Sequence, residues 1–159
     1  MKRAARWARL VVLVVFSGAL AFTPGASAGG GCTISGTAGP DVLVGTPGPD
    51  VICGLNGSDT INGRGGADTI LGGKGRDYLR GRGGDDVLRG GRGNDYIVSG
   101  KGTDAVYGGK GNDRCLRTQD GFPHDTLSGG KGKDTYRADA DDVVKDAEVQ
   151  VDACEDPPA

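Results

Sequence analysis

The 159-residue chain carries 32 glycines, few aromatic residues and a formal net charge of −2. One domain is expected at this length, but a conventional two-layer core is excluded by so little bulky apolar material. Unordered glycine at this level would read as low complexity; here the glycines are periodic, which indicates a repeat architecture instead.

The first 28 residues differ from the rest. Lys2, Arg3, Arg6 and Arg9 give a basic start, residues 10–22 are nearly all apolar, and Ala26-Ser27-Ala28 places small side chains before Gly29. This is the layout of a secretory signal peptide cut after Ala28. The apolar stretch is shorter than the ~20 residues that span a bilayer. No membrane span is therefore expected after cleavage, and the predicted location is secreted, extracellular. The mature part divides by charge. Residues 29–62 hold three Asp and no Lys or Arg, residues 63–116 are net basic, and residues 117–159 are strongly acidic.

Residues 29–35 read as an N-terminal cap, with Cys32 and Ile34 in the phase of a worn-down repeat. From residue 36 to 116 the chain is nine nonapeptides without insertion: GTAGPDVLV, GTPGPDVIC, GLNGSDTIN, GRGGADTIL, GGKGRDYLR, GRGGDDVLR, GGRGNDYIV, SGKGTDAVY and GGKGNDRCL. The fourth position is always glycine. The sixth is always aspartate: Asp41, Asp50, Asp59, Asp68, Asp77, Asp86, Asp95, Asp104 and Asp113. The eighth is apolar throughout, from Leu43 to Cys115. Arg117-Thr118-Gln119 reads as a three-residue slip, and residues 120–128 as a degenerate repeat that retains Asp125 and Leu127. Residues 129–137 form a clean repeat with Asp134 and Tyr136. Residues 138–159 lack glycine, are acidic, and read as a C-terminal cap and tail. The repeat domain is accordingly placed at 36–137, with its irregular part at 117–128.

A carboxylate at a fixed phase after a glycine turn has a specific chemical use. Glycines admit positive φ, so several carbonyl oxygens can face the point that the aspartate reaches. Oxygen-only donors of this kind suit calcium; magnesium demands a tighter octahedron, and softer metals lack thiolate or imidazole ligands here. The ten repeats resemble the calcium-binding nonapeptide of RTX, or haemolysin-type, proteins, G-G-x-G-x-D-x-U-x with U a large aliphatic. The resemblance implies an all-β fold, a right-handed parallel β-roll (solenoid) with two repeats per turn. In it the first six residues of each repeat form a calcium loop and the last three a strand. Leu43, Ile61, Leu79, Ile97 and Cys115 would then stack in one sheet, and Ile52, Ile70, Leu88 and Val106 in the other. Ca2+ would lie between aspartates 18 residues apart, up to seven ions over the unbroken repeats, with Asp125 and Asp134 as further ligands. Because each repeat buries one aliphatic side chain and stacks like charges, folding is expected to be coupled to calcium. Thr37, Thr46, Leu55, Arg64 and Arg82 depart from the second glycine, and Ser99 from the first, so weaker sites are expected toward the N-terminus.

The four cysteines follow a signal peptide and are even in number, which points to disulfides. Three pairings are possible; Cys32–Cys53 with Cys115–Cys154 is favoured, because each bridge would tie a terminal segment to the adjacent end of the array, giving disulfide-tied caps. An enzyme is not expected: the chain has no H-E-x-x-H, G-x-S-x-G or phosphate-loop motif, and His124 has no evident nucleophile partner. The alternative function is a calcium-dependent adhesion or polyanion-binding scaffold using Arg64, Lys74, Arg76, Arg80, Arg82, Arg89 and Arg92, against which stands the ordinary role of basic side chains in keeping a sheet soluble. Nucleic acid is not an expected partner, and a monomer is expected. The sequon at Asn56 and the EF-hand-like start at Asp139 to Asp142 read as incidental.

Overall fold

The computed structural model describes residues 31–118, 124–147 and 149–150. The expected signal peptide and residue Cys154 lie outside them, and so does the side chain of Cys115; the second expected disulfide therefore falls outside the described part.

Fourteen parallel strands form two seven-stranded sheets, with no helix among the described residues. The first sheet holds β1 (Ile34–Ser35), β3 (Val51–Asn56), β5 (Thr69–Lys74), β7 (Val87–Arg92), β9 (Ala105–Lys110), β11 (Thr126–Lys131) and β13 (Val143–Lys145). The second holds β2 (Val42–Val44), β4 (Thr60–Asn62), β6 (Tyr78–Gly83), β8 (Tyr96–Lys101), β10 (Arg114–Arg117), β12 (Thr135–Arg137) and β14 (Val149–Gln150). Successive repeats alternate between sheets, so one turn takes two nonapeptides. Partners sit 18 residues apart, as in Ile52↔Ile70 and Leu79↔Ile97. The chain is a parallel β-roll.

Two sequence expectations change in detail. Half of the strands are six residues long, because pairing there runs on from the seventh position of one repeat through the third of the next. Only positions four to six are left for the turn. Glycine permits this, since the second position sits at positive φ, as at Gly73, Gly91 and Gly109. The second change concerns the core. Opposite β8, Arg114 pairs with Tyr96 but Arg117 with Val98, so β10 carries one extra residue. This bulge brings Leu116 into the apolar stack; the side chain of Cys115, expected there, lies outside the described residues.

That stack is a single file on each side: Leu43, Ile61, Leu79, Ile97 and Leu116 from the second sheet face Ile52, Ile70, Leu88, Val106 and Leu127 from the first. All but Leu43 are fully buried. The slip is absorbed without breaking the first sheet, where β9 pairs with β11 at an offset of 21 (Ala105↔Thr126). Pairing continues past Arg137 through β13 and β14. At the other end a disulfide joins Cys32 to Cys53 across 21 residues, pinning the lead-in segment to β3.

Candidate metal centre

The sixth-position aspartates form two columns inside the roll. One runs Asp41, Asp59, Asp77, Asp95, Asp113 and Asp134; the other runs Asp50, Asp68, Asp86, Asp104 and Asp125. From Asp59 onward all are buried. Each column is wired in one direction. The backbone N–H of an aspartate donates to Oδ1 of the aspartate one turn later, for example Asp41 to Asp59, Asp59 to Asp77 and Asp77 to Asp95, each at 2.9 Å. The second column repeats this from Asp50 to Asp68 and Asp68 to Asp86, also at 2.9 Å. Wiring crosses the slip, from Asp104 to Asp125 at 2.6 Å and from Asp113 to Asp134 at 2.9 Å.

The other carboxylate oxygen has a different fate. In Asp59, Asp68, Asp77, Asp86, Asp95, Asp113 and Asp134, Oδ2 is buried and has no hydrogen-bond partner. A buried acceptor left unpaired costs on the order of 1–3 kcal/mol, more when charged. Seven such atoms at one structural position are a systematic feature. The surroundings also disfavour the charge. Burial raises the carboxyl of Asp86 and of Asp95 from 3.8 to about 7, against the opposing hydrogen bond from the preceding aspartate's N–H and with the neighbouring carboxylates adding to the rise. Burial likewise raises Asp59 and Asp113 to about 6, and shifts Asp68 and Asp77 upward.

The first-position glycines explain how the space is kept. A Cβ placed on Gly72 would lie 2.5 Å from Asp77 Oδ2 and 2.7 Å from the carbonyl oxygen of Gly90 in the next turn. The carboxylate and a backbone carbonyl thus flank a point that any side chain would fill. No group of three or more His, Cys, Asp or Glu side chains gathers anywhere among the described residues. A metal here would therefore rest on paired carboxylates and backbone oxygens, a hard donor set that fits Ca2+.

The second position decides which carboxylates are open. Leu55, Arg64 and Arg82 take φ of 79°, 80° and 87°, so they adopt the left-handed backbone that glycine adopts elsewhere. The aspartates four residues on, Asp59, Asp68 and Asp86, keep an unpaired Oδ2. Thr37 and Thr46 do not take positive φ. Their N–H groups donate to Oδ2 of Asp41 and Asp50 at 2.6 and 2.7 Å, and their hydroxyls donate to the same atoms at 3.0 and 2.9 Å. The expected weakness of the N-terminal sites thus acquires a cause in the two threonines, while the Leu and Arg replacements preserve the loop.

Three structural features are not evident from the repeat pattern alone. Asp142 continues the second column: its Oδ1 accepts from Asp125 N–H at 3.1 Å. Its Oδ2 is closed by Asp139 N–H at 2.7 Å and by the Thr118 hydroxyl at 3.0 Å. The signal for it was the spacing Asp142-x-Val144, masked by missing glycines, so the acidic run at 139–142 is not incidental. Thr33 starts that column, its hydroxyl donating to Asp50 Oδ1 at 3.2 Å. The basic residues expected as one patch are divided, with Arg80 and Arg82 on the second sheet, Lys74, Arg89 and Arg92 on the first, and Arg64 and Arg76 between strands. Arg80 and Arg89 moreover lie over the rings of Tyr78 and Tyr107.

A two-repeat turn, a single-file apolar core and buried, half-satisfied aspartates beside glycine loops together mark a cation-binding β-solenoid. The RTX calcium-binding nonapeptide repeat model, written as four copies, matches residues 35–70, 44–79, 54–88, 62–97, 80–115 and 124–143. These matches cover well over half of the chain, and the protein belongs to that family. Comparison with curated proteins gave no match. Repeats of this family bind Ca2+ through the aspartate that recurs every nine residues. No helix among the described residues is long and apolar enough to cross a membrane.

Proposed function

We propose that the protein is a secreted calcium-binding β-roll whose sixth-position aspartates, with loop carbonyls, hold several Ca2+ and so drive its folding. The observation that carries this reading is the row of buried, unpaired Oδ2 atoms in Asp59, Asp68, Asp77, Asp86, Asp95, Asp113 and Asp134. Five pairs one turn apart have both members open in this sense: Asp59–Asp77, Asp68–Asp86, Asp77–Asp95, Asp95–Asp113 and Asp113–Asp134. Asp104 and Asp125 add ligands where the second column continues. Asp41 and Asp50 contribute little, since threonine already satisfies them. The ion count is therefore at least five. Without the ions, a roll that buries one aliphatic side chain per repeat and a column of like charges is disfavoured, so folding is coupled to binding.

The test is calorimetry of the mature chain with Ca2+ and with Mg2+, accompanied by far-ultraviolet circular dichroism. Saturation near five or more Ca2+ with a concurrent gain of β-structure, and weak response to Mg2+, is expected. A calcium titration without any gain in β-structure would sink the coupled-folding reading. The basic start and small-residue cut site support secretion, which N-terminal sequencing of secreted material would test by showing Gly29 first.

A further inference from the structure

One face of the roll has a property that the repeat does not require. A shallow groove crosses the strands of the first sheet from β3 to β11, at right angles to them. Its floor is the second-position column, where Leu55 is followed by Gly73, Gly91, Gly109 and Gly130. Along it stands the third-position column, where Asn56 is followed by Lys74, Arg92, Lys110 and Lys131. These four cations are exposed and in direct register, one per strand, at a repeat of ~4.8 Å. Their side chains have no hydrogen-bond or ion-pair partner among the described residues.

The arrangement belongs to one sheet only. After the second-sheet strands the third position is Pro47, Gly65, Gly83 and Lys101, of which only Gly83 and Lys101 lie within strands, and the second position includes Arg64 and Arg82. Those arginines take φ near that of the groove glycines, so the bare floor is not dictated by backbone conformation alone. Edge protection does not account for the cations either, because β5, β7, β9 and β11 are interior strands and the edges are β1 and β13.

Spacing and surface select the partner. In an extended acidic peptide, side chains on one face recur every ~6.6 Å, out of step with the cations. Single-stranded nucleic acid is held largely by stacking on aromatic side chains, and none lines the groove. A sugar ring linked through its glycosidic oxygens advances by about one strand spacing and can lie flat over a glycine floor. We propose that this face binds a linear acidic polysaccharide, one carboxylated or sulfated sugar per strand, on the folded roll. The proposal rests on the calcium reading only in that calcium supplies the folded roll.

Binding of chondroitin sulfate oligosaccharides to the mature chain, by calorimetry in calcium and in EDTA with dichroism on both samples, tests it. The folded roll should bind with an affinity that falls as salt is raised. The variant Lys74→Gln/Arg92→Gln/Lys110→Gln/Lys131→Gln should keep its calcium-induced dichroism and bind roughly tenfold or more weakly, the sum of four exposed ion pairs. Lys101→Gln on the other sheet should bind like the parent. A folded roll that does not bind, a quadruple variant that binds equally well, or tighter binding of poly-glutamate or a single-stranded oligonucleotide would overturn the proposal. A chain folded and binding in EDTA as well as in calcium would support the groove while overturning the calcium reading.

Discussion

Asp77 is bonded through one oxygen only: Oδ1 accepts from the N–H of Asp59 at 2.9 Å, while the buried Oδ2 has no partner. Since Asp77 belongs to two one-turn pairs, with Asp59 and with Asp95, its removal should affect two sites. Asp77→Asn keeps an oxygen for the Asp59 N–H and replaces the open oxygen by a neutral donor. Calorimetric stoichiometry is expected to fall by two ions, while the metal-free roll becomes less unfavourable because a buried charge has gone. A loss of one ion would mean that each aspartate serves a single site.

Acidity should act oppositely on the metal-free and metal-bound forms. The carboxyls of Asp86 and Asp95 are raised from 3.8 to about 7 by burial in the metal-free roll. Folding therefore favours their protonated forms. The stability this contributes is fully present below the ordinary value near 4 and is lost as pH rises through about 7. In EDTA, β-structure should increase on going from pH 8 to pH 5, and calcium binding should weaken over the same range with release of protons on binding near pH 6. Decreasing β-structure in EDTA across that interval would contradict the assignment.

The second position offers a way to open or close a site. Thr46→Gly removes the hydroxyl and lets the backbone take positive φ, freeing Asp50 Oδ2 from both of its bonds. One additional calcium site is expected, at the expense of the first turn's stability without metal. Gly91→Thr should do the reverse at Asp95, because Gly91 sits at φ 112° and a side chain there meets the backbone of Gly73. Parallel calorimetry on the two variants would show opposite changes in ion number, and equal numbers would remove the second position from the explanation.

The bridge between Cys32 and Cys53 closes a 21-residue loop at the end where the carboxylates are already satisfied. Constraining such a loop contributes about 3 kcal/mol in the chain-entropy picture. Cys32→Ala with Cys53→Ala should lower hydrogen-exchange protection around β1 and β3 and leave the calcium stoichiometry unchanged. Loss of ions in this variant would place a metal site in the first turn after all.

Much of the roll was readable because its period is written in covalent order. Gly, Asp and an aliphatic at fixed phase specify the turn, the carboxylate and the core residue, and the alternation of Ile52 with Ile61 follows from two repeats per turn. What escaped depends on backbone state, not residue type. Leu55 and Thr46 both replace the second glycine, yet Leu55 adopts positive φ while Thr46, β-branched and placed before Pro47, does not and bonds Asp50 instead. The bulge in β10 was invisible for a similar reason. Leu116 stands in the core beside an extra residue between Arg114 and Arg117, and no residue type in that stretch announces the shift. Asp142 was obscured by the absence of glycine before it, although its spacing to Val144 was intact.

The threonine-closed turns give the stack a polarity that no single repeat possesses. Each aspartate from Asp59 to Asp134 receives its N–H bond from the turn before it, so a turn is a template for its successor. The turns at Asp41 and Asp50 hold their own carboxylates without metal and are stapled to the lead-in strand. On the calcium reading they are a permanent seed, and ordering spreads from them as a one-way zipper. Ambient calcium would then set how far the zipper closes, making the rigid length of the protein an analogue readout of the surrounding ion.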